Sequence, residues 1–240
     1  MRPALTLSVF VLLSGCFNVS WNGSERIEGS GTSASRTETA DGVRAVELEA
    51  PGTLVVERGA ADLVIEGDDN LIERLRVRTD GGTLKIETPD GESFRPDVPL
   101  RYRVGIDQLE RVEIAGSGRV EAEGSEVETL DLEVAGPGEA EVSGVRAERV
   151  SVSIAGAGDV TISGQSDRLV VEVAGAGDVD AEDLAAAEAE VSIAGAGDVT
   201  LRADKSLDVE IVGSGDVRYY GSPNVSRSIA GSGDIERAGD

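Results

Sequence analysis

Histidine is absent from this sequence of 240 residues, and cysteine occurs once, at position 16. The lack of histidine removes the side chain that most often serves as a general base and as a metal ligand. A single cysteine excludes a disulfide within the chain. Aromatic residues make up only 3% of the sequence, so a core must be built from Val, Ile, Leu and Ala.

Basic residues are scarce as well, because 22 Lys and Arg stand against 46 Asp and Glu, which gives a formal net charge of −24. Nucleic-acid binding depends on clustered Lys and Arg, so we expect no nucleic-acid partner. A strongly negative charge mainly favours solubility and self-repulsion, and it does not by itself identify a ligand.

Glycine is abundant, with 31 of the 240 residues. This is roughly twice the usual share of about 7%, and no Gly-X-Y period accompanies it, which excludes collagen. Many glycines and β-branched residues with few aromatics favour a stacked β-sheet over a helical bundle. The composition therefore predicts an all-β protein.

The first fifteen residues predict a signal peptide. A basic start at Arg2 precedes an apolar run, Ala4–Leu13, that is too short to span a bilayer as a helix. The run ends in Leu13-Ser14-Gly15-Cys16, which resembles the lipobox of bacterial lipoproteins. That resemblance implies cleavage before Cys16, acylation of its thiol and new amino terminus, and attachment to the membrane through the acyl chains. The alternative is an ordinary signal peptide that leaves a free thiol.

The segment after Cys16 is rich in Ser, Gly, Thr and Glu and has no sustained periodicity. We expect residues 16–42 to form a lipidated cysteine and a flexible tether, and residues 43–238 to form one domain. Phe17 stands where an aspartate would favour inner-membrane retention in some bacteria. By that comparison, the mature protein is expected at the outer membrane, on either its periplasmic or its surface face.

A short phrase recurs seven times along the domain, at steps of 18 to 20 residues. It consists of Gly-x-Gly preceded directly by an aliphatic residue, which is usually alanine. Regular repetition at this period indicates a repeat architecture. The residue between the two glycines is always Ser, Pro or Ala. The corner glycines are Gly116, Gly118, Gly136, Gly138, Gly156, Gly158, Gly175, Gly177, Gly195, Gly197, Gly213, Gly215, Gly231 and Gly233.

Apolar and polar residues alternate on both sides of each phrase, which predicts two half-buried strands joined at a corner. A meander of antiparallel hairpins and a right-handed parallel β-helix, or solenoid, both fit this alternation. We favour the solenoid, because stacked equivalent corners would all face the same steric limit. The glycines would supply positive φ angles and close backbone approach at the corner.

Residues 43–110 are less regular, and they predict a β-rich cap with strands at 43–49, 53–58, 63–66, 75–79 and 83–88. An atypical terminal repeat of this kind covers the open end of a solenoid. Residues 94–99, which include two prolines, predict a surface loop. The segment Asp183–Glu190 could form a helical turn, but its place in the repeat favours a return loop.

Five aspartates follow the second corner glycine, and a solenoid would stack them in one ladder: Asp159, Asp178, Asp198, Asp216 and Asp234. Neighbouring carboxylates repel each other, so something must compensate. The first hypothesis is that each aspartate accepts backbone N–H bonds at its own turn. The second is that the ladder binds Ca²⁺, in which case calcium would be the one cofactor.

The repeated phrase, the lipobox and the β-rich lead-in resemble a bacterial family named "putative auto-transporter adhesin, head GIN domain", over about residues 43–237. The resemblance implies a secreted β-helical protein with an adhesive role, and it brings no catalytic residues. We therefore expect a non-catalytic cell-envelope lipoprotein for adhesion, surface display or scaffolding. The sequence leaves its protein or glycan partner unidentified.

Two alternatives stay open. One is an enzyme acting on polysaccharide, because paired carboxylates suffice for glycoside hydrolysis. The other is a periplasmic protein of envelope maintenance. Tyr102, Tyr219 and Tyr220 are the aromatic candidates for recognition, although a place inside the stack or at its end is the simpler prediction for them.

Overall fold

The computed structural model describes residues 25–239, so the predicted signal peptide, Cys16 and the start of the predicted tether lie outside the described range. Within this range the chain is mostly β-strand, and no helix is long and apolar enough to cross a bilayer. The first elements are β1 (Glu25–Glu28), β2 (Ser33–Glu38), β3 (Ala45–Glu49), β4 (Thr53–Glu57), β5 (Ala61–Asp68), α1 (Asp69–Ile72), β6 (Arg76–Asp80), β7 (Thr83–Glu87), β8 (Glu92–Arg95) and β9 (Arg101–Gly105).

The repeats form the rest of the chain as a parallel β-solenoid. Their strands are β10 (Arg111–Ala115), β11 (Arg119–Glu123), β12 (Glu126–Gly136), β13 (Glu139–Gly156), β14 (Asp159–Gly175), β15 (Asp178–Gly195), β16 (Val199–Gly213), β17 (Val217–Tyr220), β18 (Asn224–Gly231) and β19 (Ile235–Gly239). Consecutive rungs pair in parallel, and their corner glycines stand opposite one another, from Gly136 on Gly156 to Gly213 on Gly231. This pairing confirms the solenoid and excludes the hairpin meander.

The core is a set of aliphatic columns that run along the inside of the solenoid. Burial of each such side chain stabilises the fold by about 1.5–3 kcal/mol relative to exposure, so the columns supply the main driving force. One column passes from the cap through the regular rungs and contains Leu84, Val46, Val112, Leu132, Val152, Val171, Val191 and Val209.

The prediction that the cap is less regular than the rungs is confirmed. Strands β3 and β4 continue the parallel stack onto β7 and β9, but β6 then lies antiparallel to β7, and β5 lies antiparallel to both β9 and β2. The antiparallel strands therefore cover the end of the stack at which the chain enters it. All five strands predicted between residues 43 and 88 are present in the structure.

The prediction of a flexible tether is wrong for residues 25–42. Strand β1 pairs with β8, and β2 pairs with β5 over six residues. The guanidinium of Arg36 on β2 also donates a hydrogen bond of 2.6 Å to the carbonyl oxygen of Ile72. This segment is held by backbone pairing and a few polar contacts. It therefore needs no alternation of apolar residues, which is the pattern by which strands are recognised in a sequence. The domain thus begins well before residue 43.

Two predicted loops are also partly or wholly strand. The predicted surface loop at 94–99 overlaps β8, and Phe94 packs against the core. The predicted return loop Asp183–Glu190 lies entirely within β15, where Leu184, Ala186 and Ala189 are buried. Alanine has weak strand propensity, but hydrogen bonds to the rungs on both sides and inward burial override it here.

Candidate functional site

The corner glycines carry out two different steric tasks. The first glycine of each pair has a positive φ, from +109° at Gly136 to +151° at Gly231, which L side chains rarely adopt. The second glycine has no positive φ, but its Cα faces the rung below. An added Cβ at Gly197, for example, would overlap the carbonyl oxygen of Gly177. The first requirement fixes the bend of the chain, and the second fixes the spacing between rungs.

The first glycines differ among themselves in their surroundings. A Cβ at Gly195 would overlap the carbonyl oxygen of Gly175, whereas a Cβ at Gly116 would meet no atom within 4 Å. Gly116 opens the first regular rung, which stacks on the corner between β3 and β4 of the cap. At this junction the close approach involves only the second glycine, because an added Cβ at Gly118 would crowd Leu48 and the carbonyl oxygen of Ala50.

The aspartates after the corners form a ladder, but not by the bonding at their own turns that the sequence suggested. Oδ1 of Asp178 accepts the backbone N–H of Asp198 at 3.0 Å, and Asp198 accepts that of Asp216 at 3.0 Å. Asp216 in turn accepts the N–H of Asp234 at 2.8 Å. Only Asp234, on the last described rung, bonds forward within its own turn, to the N–H of Ile235. Parallel stacking places the N–H of the next rung above the carboxylates of Asp178, Asp198 and Asp216, so these bonds run between rungs.

The calcium hypothesis finds no support in this geometry. One oxygen of each ladder carboxylate from Asp178 to Asp216 is already used by the next rung, whereas Ca²⁺ needs six to eight oxygen ligands. In residues 25–239, no three or more carboxylate, thiol or imidazole side chains are grouped as a metal site would require. At the base of the ladder, Arg119 and Glu139 form an ion pair.

A second outward column shows how the rungs limit carboxylate repulsion. From β12 onward it alternates Glu and Ser, so that each carboxylate is separated from the next by a hydroxyl. Nearer the cap, three glutamates follow one another with a lysine beneath them. In order along the solenoid, the column is Lys85, Glu47, Glu113, Glu133, Ser153, Glu172, Ser192, Glu210 and Ser228.

Lys85 neutralises the crowded end of this column. Its Nζ lies 2.5 Å from an oxygen of Glu47, 2.9 Å from Glu49 and 3.3 Å from Glu87. Hydrogen bonds to these carboxylates raise the pKa of Lys85 well above its ordinary value. One rung further on, burial raises the pKa of Glu113, and the negative charges of Glu47 and Glu133 raise it further.

Asp68 is a buried carboxylate that sequence reasoning missed. It is the last residue of β5 and accepts three backbone N–H bonds, from Gly31 at 2.7 Å, Asp97 at 2.9 Å and Val98 at 3.0 Å. The sequence offers only an acidic pair before a helix, which would suggest a helix N-cap. The side chain of Asp68 makes no such cap bond. It ties together three segments of the cap, and its role is structural.

The tyrosines lie mostly within the stack. Tyr102 is fully buried, its hydroxyl donates a 2.9 Å hydrogen bond to the carbonyl oxygen of Pro51, and burial raises its pKa. Tyr219 packs against the core. The ring of Tyr220 lies 5.4 Å from the guanidinium carbon of Arg202. The simpler prediction, a structural place for the tyrosines, is thus supported for Tyr102 and Tyr219.

Stacked corners, aliphatic inner columns and regular outer ladders define a β-solenoid whose acidic groups are spread along its length rather than gathered around a cleft. The chain belongs to the family described as "putative auto-transporter adhesin, head GIN domain", whose model matches residues 44–223. The comparison with curated proteins found no match.

Solved structures share the fold. A putative adhesin from Bacteroides fragilis NCTC 9343 is 26% identical, with a TM-score of 0.83 over 88% of this chain and 99% of that one. A protein described as a putative lipid binding protein, from Parabacteroides distasonis ATCC 8503, is 28% identical, with a TM-score of 0.75 over 89% and 100%. A putative adhesin from Parabacteroides merdae ATCC 43184, at 18% identity and a TM-score of 0.67 over 89% and 99%, supports the fold alone.

Proposed function

We propose that this protein is a non-catalytic adhesin-like lipoprotein of the bacterial cell envelope, acylated at Cys16 and anchored in the outer membrane by its acyl chains. Its solenoid body presents long, regular outer ladders to a protein or glycan partner. The observation that carries this proposal is the register of the rungs, which repeats the same outward side chains at a fixed spacing along the body.

The outer face supports binding rather than catalysis. General acid–base chemistry on a sugar requires two carboxyl groups placed on either side of one bond. Here the carboxylates of Asp178, Asp198 and Asp216 are bonded to the next rung. From β12 onward the glutamates of the second outward column stand on alternate rungs. A repeated surface of this kind instead suits an extended partner that makes many weak, equivalent contacts.

The N-terminal sequence supports the anchor. An apolar run of ten residues followed by Leu-Ser-Gly-Cys is typical of a lipoprotein signal, and Cys16 is the one thiol available for acylation. Stable membrane attachment takes two lipid signals, which acylation of both the thiol and the new amino terminus would supply. In the sequence, residues 17–24 separate Cys16 from β1.

The anchor is tested by labelling cells with a clickable fatty acid and comparing the wild-type chain with Cys16→Ser. We expect label and membrane fractionation for the wild type, and an unlabelled, soluble product for C16S. Because the chain has no second cysteine, the variant removes every thiol without touching the domain. Equal membrane attachment of C16S would contradict acylation at this residue.

Surface display is tested separately by protease treatment of intact cells, with lysed cells as the control. We expect cleavage of the wild-type protein in intact cells. Protection in intact cells together with cleavage after lysis would exclude adhesion at the surface. It would favour the envelope-maintenance alternative, in which the same solenoid faces the periplasm.

A further inference from the structure

The two ends of the described solenoid are finished in different ways. At the first end, antiparallel strands β2, β5 and β6 cover the stack. At the other end, β18 pairs with β16, and β19 pairs with β17, and within residues 25–239 no further strand pairs with either of them. An open sheet edge of this kind is a template for pairing with another chain.

Exposed apolar groups accompany this open edge. Val225 and Ile229 of β18 continue the columns of Leu207 and Ile211, yet 38% and 39% of their surface is exposed. A strand that reads Val-x-Val-x-Ile at this place would have the composition of an aggregation-prone edge. The residue between Val225 and Ile229, at position 227, therefore decides how readily the edge associates with another chain.

That middle residue is an arginine. Arg227 stands opposite Val209, which means that it takes the next place in the long aliphatic column described above. A stacked parallel rung directs equivalent side chains the same way, so a cation occupies a core position of the last rung. The methylene groups of arginine can cover the apolar layer below while the guanidinium reaches water.

A second column ends in the same way on β19. Ala181, Leu201 and Tyr219 stack in order, and the next residue in register is Arg237. Its guanidinium donates hydrogen bonds of 2.8 Å to the carbonyl oxygen of Gly221 and to the hydroxyl of Ser222. Two inner columns on different strands thus change from apolar residues to arginine at one level of the solenoid.

The net charge of the rungs differs from that of this end, where it gives little protection against association with a second copy. Residues 120–217 contain 23 acids and five bases, so the sides of the rungs repel a second copy. Residues 218–240 contain three acids and three arginines, so repulsion between net charges is weak at the end itself. Pairing of two ends would then be prevented by a charge that lies within an inner column of the solenoid.

We propose that Arg227 forms a charged end cap that keeps the open rung from pairing edge to edge with a second copy of the chain. Pairing two such edges would move the guanidinium of Arg227 from water into the apolar layer of the column that ends at Val209. The resulting desolvation of a cation opposes association. Inward-pointing charges at a sheet edge, and polar terminal repeats in solenoids, are known means of preventing such association.

The test compares Arg227→Val with Arg218→Val in the full chain, by sedimentation velocity over a wide range of protein concentration. Both variants remove one positive charge and add the same apolar group, but Arg218 is exposed on the outside of β17. We expect the average mass of R227V to at least double as concentration rises, and that of R218V to follow the wild type. Arg227→Lys, which keeps the charge, should also follow the wild type.

Several outcomes would overturn the proposal. An R227V chain that sediments like the wild type would show that the arginine is not needed. Equal association of R227V and R218V would assign the effect to net charge, and association of R227K would show that the cation is not the cause. Circular dichroism establishes that each variant is folded, and Arg227→Ala, which removes the charge with a smaller apolar group, provides the same comparison should R227V fail to fold.

Discussion

The cap, residues 25–110, and the rungs, residues 111–239, are built from the same kind of short strand but depend on different interactions. In the cap, single side chains with several partners join separate segments of the chain, as Asp68 and Lys85 do. In the rungs, one small interaction is repeated at every level, such as the bond from an aspartate to the next rung. A substitution in the cap should therefore remove many bonds at one place, whereas a substitution in the rungs should disturb a spacing that all levels share.

The largest effect is expected from Gly195→Ala. The new Cβ would suffer the strain of a +146° φ and would also overlap the carbonyl oxygen of Gly175. We expect the free energy of unfolding to fall by about 4 kcal/mol or more.

Gly116→Ala is the matched control, because it occupies the same corner position with a φ of +112° and open space around the Cβ. Strain alone should cost it about 1–3 kcal/mol. Chemical denaturation of both variants gives the difference. Equal losses would mean that close stacking of corners contributes nothing to stability.

The next effect is expected in the cap, from Asp68→Asn. The amide keeps one acceptor oxygen, while its NH₂ group would face N–H donors that now bond to the carboxylate. Leaving buried donors unsatisfied should lower the free energy of unfolding by about 2–3 kcal/mol. Asp62→Asn on the exposed side of β5 removes the same charge and should change stability little. Similar denaturation midpoints for the two variants would show that the Asp68 bonds do not hold the cap together.

The smallest effect is expected at the seam between cap and rungs, from Glu113→Gln. Because burial and neighbouring carboxylates raise the pKa of Glu113, ionised Glu113 opposes folding above its ordinary pKa. Glu113→Gln should therefore stabilise the protein by a few tenths of a kcal/mol at neutral pH, since the group is partly solvated. The gain should disappear as the pH falls well below 4.5, the ordinary pKa of the group, where the carboxyl is protonated in both the folded and the unfolded state.

The control for the seam is Glu172→Gln, in the same outward column. Its neighbours in register are Ser153 and Ser192, so no carboxylate stands directly above or below it. Thermal melts at several pH values compare the two variants. A larger or pH-independent gain for E172Q would contradict the view that the Glu–Ser alternation relieves repulsion along the rungs.

The sequence allowed prediction of the rungs because every level obeys the same steric rule, which leaves a visible period. The position of Gly136, Gly156 and Gly175 along the chain was enough to place them on top of one another in the fold. The cap left no such trace, because β2 is held by backbone pairing to β5 and Asp68 by bonds to residues far away in sequence. The prediction of a return loop at the Ala-rich segment 183–190 is wrong, because the strand conformation of this segment comes from the adjacent rungs rather than from its own composition.

For the candidate site, the sequence located the aspartate ladder but not the direction of its bonds. A bond within one turn and a bond to the next rung require the same residue at the same position, so only the register between rungs distinguishes them. The end cap was likewise hidden, because Arg227 differs from any other exposed arginine only through its place opposite Val209.

Each aspartate carboxylate of the ladder from Asp178 to Asp216 bonds to the rung that follows it in sequence, and this direction bears on how the chain acquires its fold. Each of these levels offers a carboxylate acceptor to the backbone N–H of the level that comes next. We therefore expect the cap, which is synthesised first, to serve as the nucleus on which the rungs add one level at a time in the order of synthesis. On this view the molecule has a starting end and a growing end, and order spreads through it in one direction.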